Sequence, residues 1–255
     1  MSSGKDWDLE GAPSPQNEAE YRAVLRATVE SFEALLLETS WSKVPYEDAT
    51  IQLWEYVLPS ASSAPSVAKV SASSSRPASL PSSTSLDSLH AKKSKITLLK
   101  SQGIVDCPAG KLAALIHSEN EADVKKFEND LISTRTIKKI DDQSNIYYRK
   151  YQTPAVLDNR DFISLGTLVN REDGSFIRVA TSINYPGIPV PSGFLRGRII
   201  ITGFHLVPLG EKTLVVRISQ VDPRGGVPKF LVNTFKKKTA GYINLLRNAV
   251  KPPKK

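Results

Sequence analysis

The sequence predicts an α+β domain in which one antiparallel sheet is covered by helices drawn from the two ends of the chain. Three observations carry this. Between residues 136 and 222 six strand-like segments follow one another with no helical pattern between them, which builds an antiparallel meander and not a doubly wound sheet. Long amphipathic helical stripes flank that region on both sides. The strands alternate apolar and polar positions, so one face needs a cover, and the terminal helices are what the chain offers.

Taken in order, residues 1–16 read as a flexible N-terminus. Residues 17–39 place Tyr21, Leu25, Thr28, Phe32 and Leu35 or Leu36 at helical spacing, with Asn17 as N-cap and Glu20 three positions on, the arrangement of a capping box. Residues 41–57 are extended, with Ile51, Leu53, Trp54 and Tyr56. From Pro59 to His90 the chain holds 13 Ser and 4 Pro, too little apolar surface to offset its ordering entropy, so 59–92 is expected to be a disordered insertion. Residues 95–105 read as strand, 108–117 as a short helix entered through Pro108, and 120–133 as a second helix presenting Val124, Phe127 and Leu131. The strands are 136–140, 145–151, 160–169, 175–184, 196–207 and 213–222, punctuated by turn residues such as Asp173-Gly174 and Gly210-Glu211. Gly225-Gly226 and Pro228 open a last helix with Leu231, Phe235, Tyr242, Leu246 and Ala249 on its apolar stripe. Residues 17–250 thus form a single domain, with 251–255 as a basic tail.

Composition closes several routes. A single cysteine, Cys107, excludes a disulfide framework and suits a reducing compartment; with only three histidines no zinc-ligand spacing exists, so no metal and no cofactor is expected. There is no run of 18 apolar residues to span a bilayer, and the acidic N-terminal stretch does not read as a signal peptide. The sequence carries no nucleophile elbow and no phosphate loop, so no catalytic residue is assigned and the chain is not expected to be an enzyme. The formal charge of +8 is unevenly placed, with nine bases and no acid in 223–255. That points to a polyanion. Aromatic positions for base stacking do not interleave with those bases, so an anionic membrane surface is the better partner than nucleic acid.

Arg160-Asp161-Phe162-Ile163-Ser164, then Arg196-Gly197, then Asp222-Pro223-Arg224-Gly225-Gly226-Val227-Pro228 with Val232-Asn233 resemble, in order and spacing, the START family of lipid-transfer domains. Phe127 stands where that family usually has Trp. The resemblance runs from about Glu18 to Val250 and implies a helix-grip fold: a curved antiparallel sheet around a lipid tunnel closed by the long C-terminal helix. Many members place an arginine inside the cavity where this chain has Gly166, and some pair it with an acid where this chain has Tyr147. The resemblance therefore implies a tunnel without the buried ion pair, suited to an apolar ligand with one polar group, a sterol in the first instance. Phospholipid or sphingolipid binding, or a lipid-sensing module or enzyme on the same fold, are the alternatives.

The tunnel is expected to be lined by Tyr147, Ser164, Gly166, Val179, Thr181, Ile183, Val216, Ile218, Leu231, Phe235, Tyr242 and Leu246. The proline-rich stretch Ile188, Pro189, Val190 and Pro191 is expected to gate it. Lys236, Lys237, Lys238 and Arg247 are expected to dock on the membrane, while Arg160, Asp161, Phe162, Asp222, Gly225 and Pro228 hold the fold. The expected state is a cytoplasmic monomer, transiently attached to membranes.

Overall fold

The computed structural model describes residues 9–56, 96–226 and 229–251, with side chains of the last helix from Lys236 onward. The insertion 59–92, Pro228 and the side chains of Leu231 and Phe235 lie outside the described residues.

The chain begins in helix α1 (Glu18–Leu37), capped by the Asn17 carboxamide, which accepts from the Glu20 amide at 3.0 Å. Strands β1 (Trp41–Val44), β2 (Ile51–Tyr56) and β3 (Leu99–Val105) follow. Two short helices come next, α2 (Ala109–His117) and α3 (Glu121–Lys125). The rest of the sheet is β4 (Leu131–Asp141), β5 (Ser144–Tyr151), β6 (Asn159–Asn170), β7 (Phe176–Ser182), β8 (Phe194–Arg196), β9 (Arg198–Leu209) and β10 (Lys212–Asp222). Helix α4 (Lys229–Ala249) closes the chain. The described residues form one sheet in the order β1-β2-β3-β10-β9-β7-β6-β5-β4, every neighbour antiparallel, with β8 paired parallel to the start of β6. This is the predicted antiparallel α+β architecture.

Three predicted elements change on folding. The helix expected over 120–133 stops at Lys125, and Leu131 already opens a strand: Val124, Phe127 and Leu131 are all buried, but from a short helix, a turn and a strand. The strand expected over 196–207 is broken at Gly197, whose amide donates to Asp161 O at 3.0 Å while the Phe162 ring occupies the place of a Cβ. Residues 9–16, expected to be flexible, are pinned. Leu9 is buried, its amide donates to Asn184 Oδ1 at 2.7 Å, and Arg198 donates to the carbonyls of Glu10 and Gly11.

Helix α1 covers one face of the sheet. Phe32 and Leu35 pack on Ile177, Val179, Ile201 and Ile218, and farther along Tyr21 and Leu25 pack on Ile146, Ile163, Leu165 and Ile183. Gly203 permits this closeness, because a Cβ there would lie 2.6 Å from the Phe32 ring and 2.8 Å from the Arg178 carbonyl oxygen. On the opposite face α2, α3 and α4 gather around Phe204, Leu206 and Val215 through Leu112, Ile116, Phe127, Tyr242 and Leu246. With helices on both sides, β6 and β7 are buried nearly throughout.

Candidate ligand cavity

The helices of that second face do not close on the sheet. Between them lies a cavity of about 1170 Å³. Its floor comes from β5, β6, β7, β9 and β10 through Tyr147, Ser164, Arg178, Phe204 and Arg217, and its roof from Tyr242 and the Lys236–Thr239 turn of α4. The mouth is framed by the β5–β6 loop at Gln152, Pro154 and Leu157 and by the β10–α4 turn at Pro223 and Gly225.

Sheet alternation dictates which strand positions meet this space. On β7, Arg178 faces the cavity and Val179 faces α1; on β10, Arg217 and Ser219 face the cavity and Ile218 faces α1. The tunnel residues expected on these strands are therefore on the other side of the sheet. Val179, Ile183 and Ile218 belong to the α1 core, Thr181 bonds the Ile200 carbonyl at 2.9 Å, and Val216 shares the Ile218 side. Leu246 packs in the α4 core away from the cavity lining. Tyr147, Ser164 and Tyr242 line the cavity. The sequence reading assigned the more apolar face to the ligand, whereas the apolar face is the one a helix must cover.

The expectation of a cavity without a buried ion pair is likewise overturned. Gly166 has no side chain because the Arg178 guanidinium fills its place: a Cβ there would sit 2.9 Å from Nη1. The arginine that β6 lacks is thus supplied by β7. Arg149 joins it from β5, its Nη1 3.4 Å from Glu128 Oε1, and Glu128 also accepts from the Tyr242 hydroxyl at 2.6 Å. Arg217 adds a third guanidinium, 4.4 Å from the Tyr242 ring centre. Arg178 and Arg217 are both paired in register with Phe204 of the strand between them, so they stand in one row across three strands.

This positive set leaves electrostatic traces. Burial alone would raise the Tyr147 phenol, yet Arg178 and Arg149 outweigh it and the net shift is downward. His117, behind the cavity, is pushed down to about 4, first by burial and then by Arg178. Burial lowers the Arg217 guanidinium from its ordinary value. Among the described residues several donors have no partner: Arg178 Nε, Arg217 Nε and Nη1 and the Ser164 hydroxyl are buried without a hydrogen bond.

The motif residues sit at the rim and beneath it. Arg160 ties the start of β6 to the β10–α4 turn, Nε donating to Pro223 O at 2.5 Å, Nη2 to Arg224 O at 3.1 Å and Nη1 to the Asp158 carbonyl. In that turn Asp222 Oδ1 accepts from the Arg224 amide at 2.8 Å, and both Arg224 and Gly225 take positive φ. Asp161 and Arg196 form a fully buried bidentate pair at 2.8 and 2.9 Å, to which the Tyr148 hydroxyl adds a bond at 2.8 Å. Phe162 lines the cavity one position along.

The expected gate and docking residues are placed differently from the reading. Ile188 packs toward Tyr21 and Leu25 on the α1 side, its carbonyl accepting from Arg196 at 3.2 Å, and none of Ile188, Pro189, Val190 and Pro191 reaches the cavity. The loop that does is 152–158, with Val156 69% exposed. Lys236 pairs with Glu55 at 2.5 Å, Lys238 with Asp130, and Arg247 with Asp48 at 3.4 Å. Among the described residues no acid pairs with Lys237.

A family model described as START domain matches residues 70–251. The chain belongs to the START domain family. Among curated relatives, START domain-containing protein 10 of Mus musculus is 30% identical over 129 residues, half of this chain and 43% of the relative, so the match spans less than half of that protein's length. StAR-related lipid transfer protein 5 of Bos taurus is 28% identical over 170 residues, 60% of this chain and 75% of the relative. The fold is also that of solved START structures. Human StAR-related lipid transfer protein 5 superposes with a TM-score of 0.70 at 19% identity over 92% of this chain and 98% of its own, and the human StarD13 (DLC2) lipid transfer and protein localization domain with 0.64 at 16% over 88% and 95%. In this START chain the Arg-Asp-Phe motif buttresses the cavity, and its carboxylate stays out of the lining. Asp161 is spent on Arg196, and only Arg160 and Phe162 reach the lining. From the sheet wall Arg149, Arg178 and Arg217 add positive charge to the cavity. Arg178 and Arg217 alternate with Val and Ile in the sequence, and the apolar positions of that alternation are the ones expected to line the tunnel.

Proposed function

We propose that this START domain binds a single lipid in the cavity under α4 and carries it between membranes. One observation bears the reading: a cavity of about 1170 Å³, above the roughly 300–1,000 Å³ of ordinary small-molecule sites, set between a sheet and a terminal helix. The names of the relatives, lipid transfer among them, point the same way. Moving a lipid with some 25 carbons into water costs on the order of 20 kcal/mol, at about 0.8 kcal/mol per methylene. A lined cavity removes most of that, and because membrane and cavity are then nearly isoenergetic, exchange needs no chemical energy.

Entry is assigned to the mouth between loop 152–158 and the β10–α4 turn, where Val156 stands out of the surface beside Pro154 and Leu157 of the lining. Lys237 and the acid-free C-terminal stretch orient that end toward an anionic leaflet, and attachment is transient. Catalysis is not part of the proposal, since the carboxylate in the cavity lining best placed to act as a base, Glu128, is engaged by Arg149 and Tyr242. A sterol fits the aromatic wall, but the basis for preferring it, a tunnel whose one polar group is a phenol, is replaced by three arginines.

The test is transfer of labelled lipid between donor and acceptor vesicles, with mass spectrometry of the protein recovered afterwards. One lipid per protein and protein-dependent transfer are expected. Absence of any bound lipid after incubation with vesicles would refute the reading.

A further inference from the structure

We infer that the lipid held in this cavity is an acidic one, whose head-group oxyanion is bound by Arg217 and Arg178. This rests on the lipid-binding reading above and narrows it to a ligand class.

The argument is one of unmatched charge. Among the described residues the lining holds seven cations, Arg149, Arg160, Arg178, Arg217, Lys236, Lys237 and Lys238, against four carboxylates, Glu47, Asp130, Asp222 and Glu128, of which only Glu128 pairs with an arginine of the sheet wall. That carboxylate is already engaged by Arg149 and by the Tyr242 hydroxyl. The helix above brings no acid, because 223–255 contains none. Arg178 Nη1 donates to the Val179 carbonyl at 3.0 Å and its guanidinium also bonds the Tyr147 phenol, while among the described residues Arg178 Nε and Arg217 Nε and Nη1 have no hydrogen-bond partner. Charges buried without partners are strongly unfavourable unless something compensates them. Here the compensation is partial and comes from rings: Arg217 over Tyr242 and Phe204, Arg178 and Arg149 beside Tyr147. Rings attract a cation but do not saturate its directed N–H donors.

The placement fits a bound oxyanion. Arg178 and Arg217 occupy one row of the sheet with Phe204 between them, so their Cα atoms are about 9–10 Å apart at two strand spacings. Each side chain is long enough to reach the space above Phe204, where one phosphate or carboxylate meets both. Arginine donates in a planar fork matched to such groups. The Ser164 hydroxyl, buried and unbonded, lines the same wall. A sterol hydroxyl or an uncharged glyceride can accept a hydrogen bond but leaves both guanidinium charges uncompensated. A zwitterionic head brings a cation with its anion into a site that already holds an excess of cations.

The experiment offers the full chain mixed vesicles that contain phosphatidylcholine, phosphatidylglycerol, a fatty acid and cholesterol together. All candidates then share one membrane surface, and what is read is the lipid recovered in the protein, not the rate of docking. Enrichment of acidic lipid over phosphatidylcholine by about tenfold or more relative to the vesicle is expected, the discrimination of one charge-assisted pair. Arg217→Met keeps the volume and removes the charge, and should lower that enrichment to within about threefold of the input; Arg217→Lys should hold most of it. Wild-type protein loaded with phosphatidylcholine or cholesterol in proportion to the vesicle overturns the acidic-lipid assignment and leaves lipid binding standing. Wild-type protein recovered with no lipid overturns both. A parallel arm without vesicles adds inorganic phosphate alone. A thermal shift there that acidic vesicles do not exceed would assign the arginines to a soluble anion and overturn the lipid assignment. The wild-type loading decides the question even where a variant misfolds.

Discussion

Replacing Asp161 by Asn tests whether the most deeply buried ion pair holds the rim of the cavity. Asp161 and Arg196 have side-chain exposures of 0% and 2% and meet through two bonds at 2.8 and 2.9 Å, with the Tyr148 hydroxyl on the same carboxylate. Asn keeps the size but leaves the Arg196 charge without a counter-ion, and breaking a buried pair from one side costs about 3–5 kcal/mol. For a domain of this size each kcal/mol lowers the melting temperature by about 2–4 °C, so a fall of roughly 10 °C is expected. Thermal and urea melts measure it, and an unchanged urea slope assigns the change to the folded state. The double variant Asp161→Leu with Arg196→Met removes both charges and should recover at least half of the loss, since the penalty lies in the stranded charge. A loss under about 1 kcal/mol in the single variant, or a double variant no better than the single, would refute the reasoning.

Three further outcomes follow from single contacts. Gly203→Ala puts a methyl 2.6 Å from the Phe32 ring and 2.8 Å from the Arg178 carbonyl; overpacking of this kind costs about 1–3 kcal/mol, read as a lowered melting temperature with α1 partly displaced and exchanging its amides faster. Val156→Asp, at a side chain 69% exposed beside the mouth, should leave the melting temperature within about 1 °C, as surface changes do, and slow vesicle-to-vesicle transfer. His117, held down to about 4 by burial and Arg178, binds its proton more readily unfolded than folded, so its contribution is full above pH 6.5 and is lost as pH falls toward 4. Acid melts between pH 7 and 4.5 should show that slope, and His117→Phe should flatten it.

The antiparallel sheet, the two terminal helices and the rim motif were legible because each rests on a local pattern. Asn17 with Glu20 caps α1, and Asp222 through Gly226 can only make a turn. Which face of the sheet meets the cavity was not legible. Strands β6 and β7 are buried on both sides, so alternation of Val179 with Arg178 records two different neighbours, a helix and a cavity, and not core against water. The cavity arginine was sought at position 166 of β6, and its replacement reaches in from position 178 of the adjacent strand, a substitution that depends on register and so is invisible along the chain. The proline-rich stretch 188–191 carried the stronger signal for a gate, yet Ile188 packs toward α1, while the plainer loop 152–158 meets the cavity. The triple lysine read as a docking patch also changes sense once Glu55 and Asp130 are found beside Lys236 and Lys238.

These corrections point in one direction. A sheet that must both hold a domain together and enclose a ligand divides the work between its faces, and the division is chemical. The α1 side is dry and close-packed, down to the missing Cβ at Gly203, and it carries the hydrophobic stabilisation. The cavity side carries guanidinium groups, phenols and hydroxyls that weaken the empty fold. The stabilising pair Asp161–Arg196 lies under the rim, where it ties β6 to β8 without entering the cavity. Charge that stabilises is therefore saturated and buried in the frame, whereas charge left unsaturated faces the space where a ligand sits. Arg178 and Asp161, both on the central strands and both buried, differ in this one respect: Asp161 is bonded by Arg196 and Tyr148, and among the described residues the Arg178 Nε has no partner.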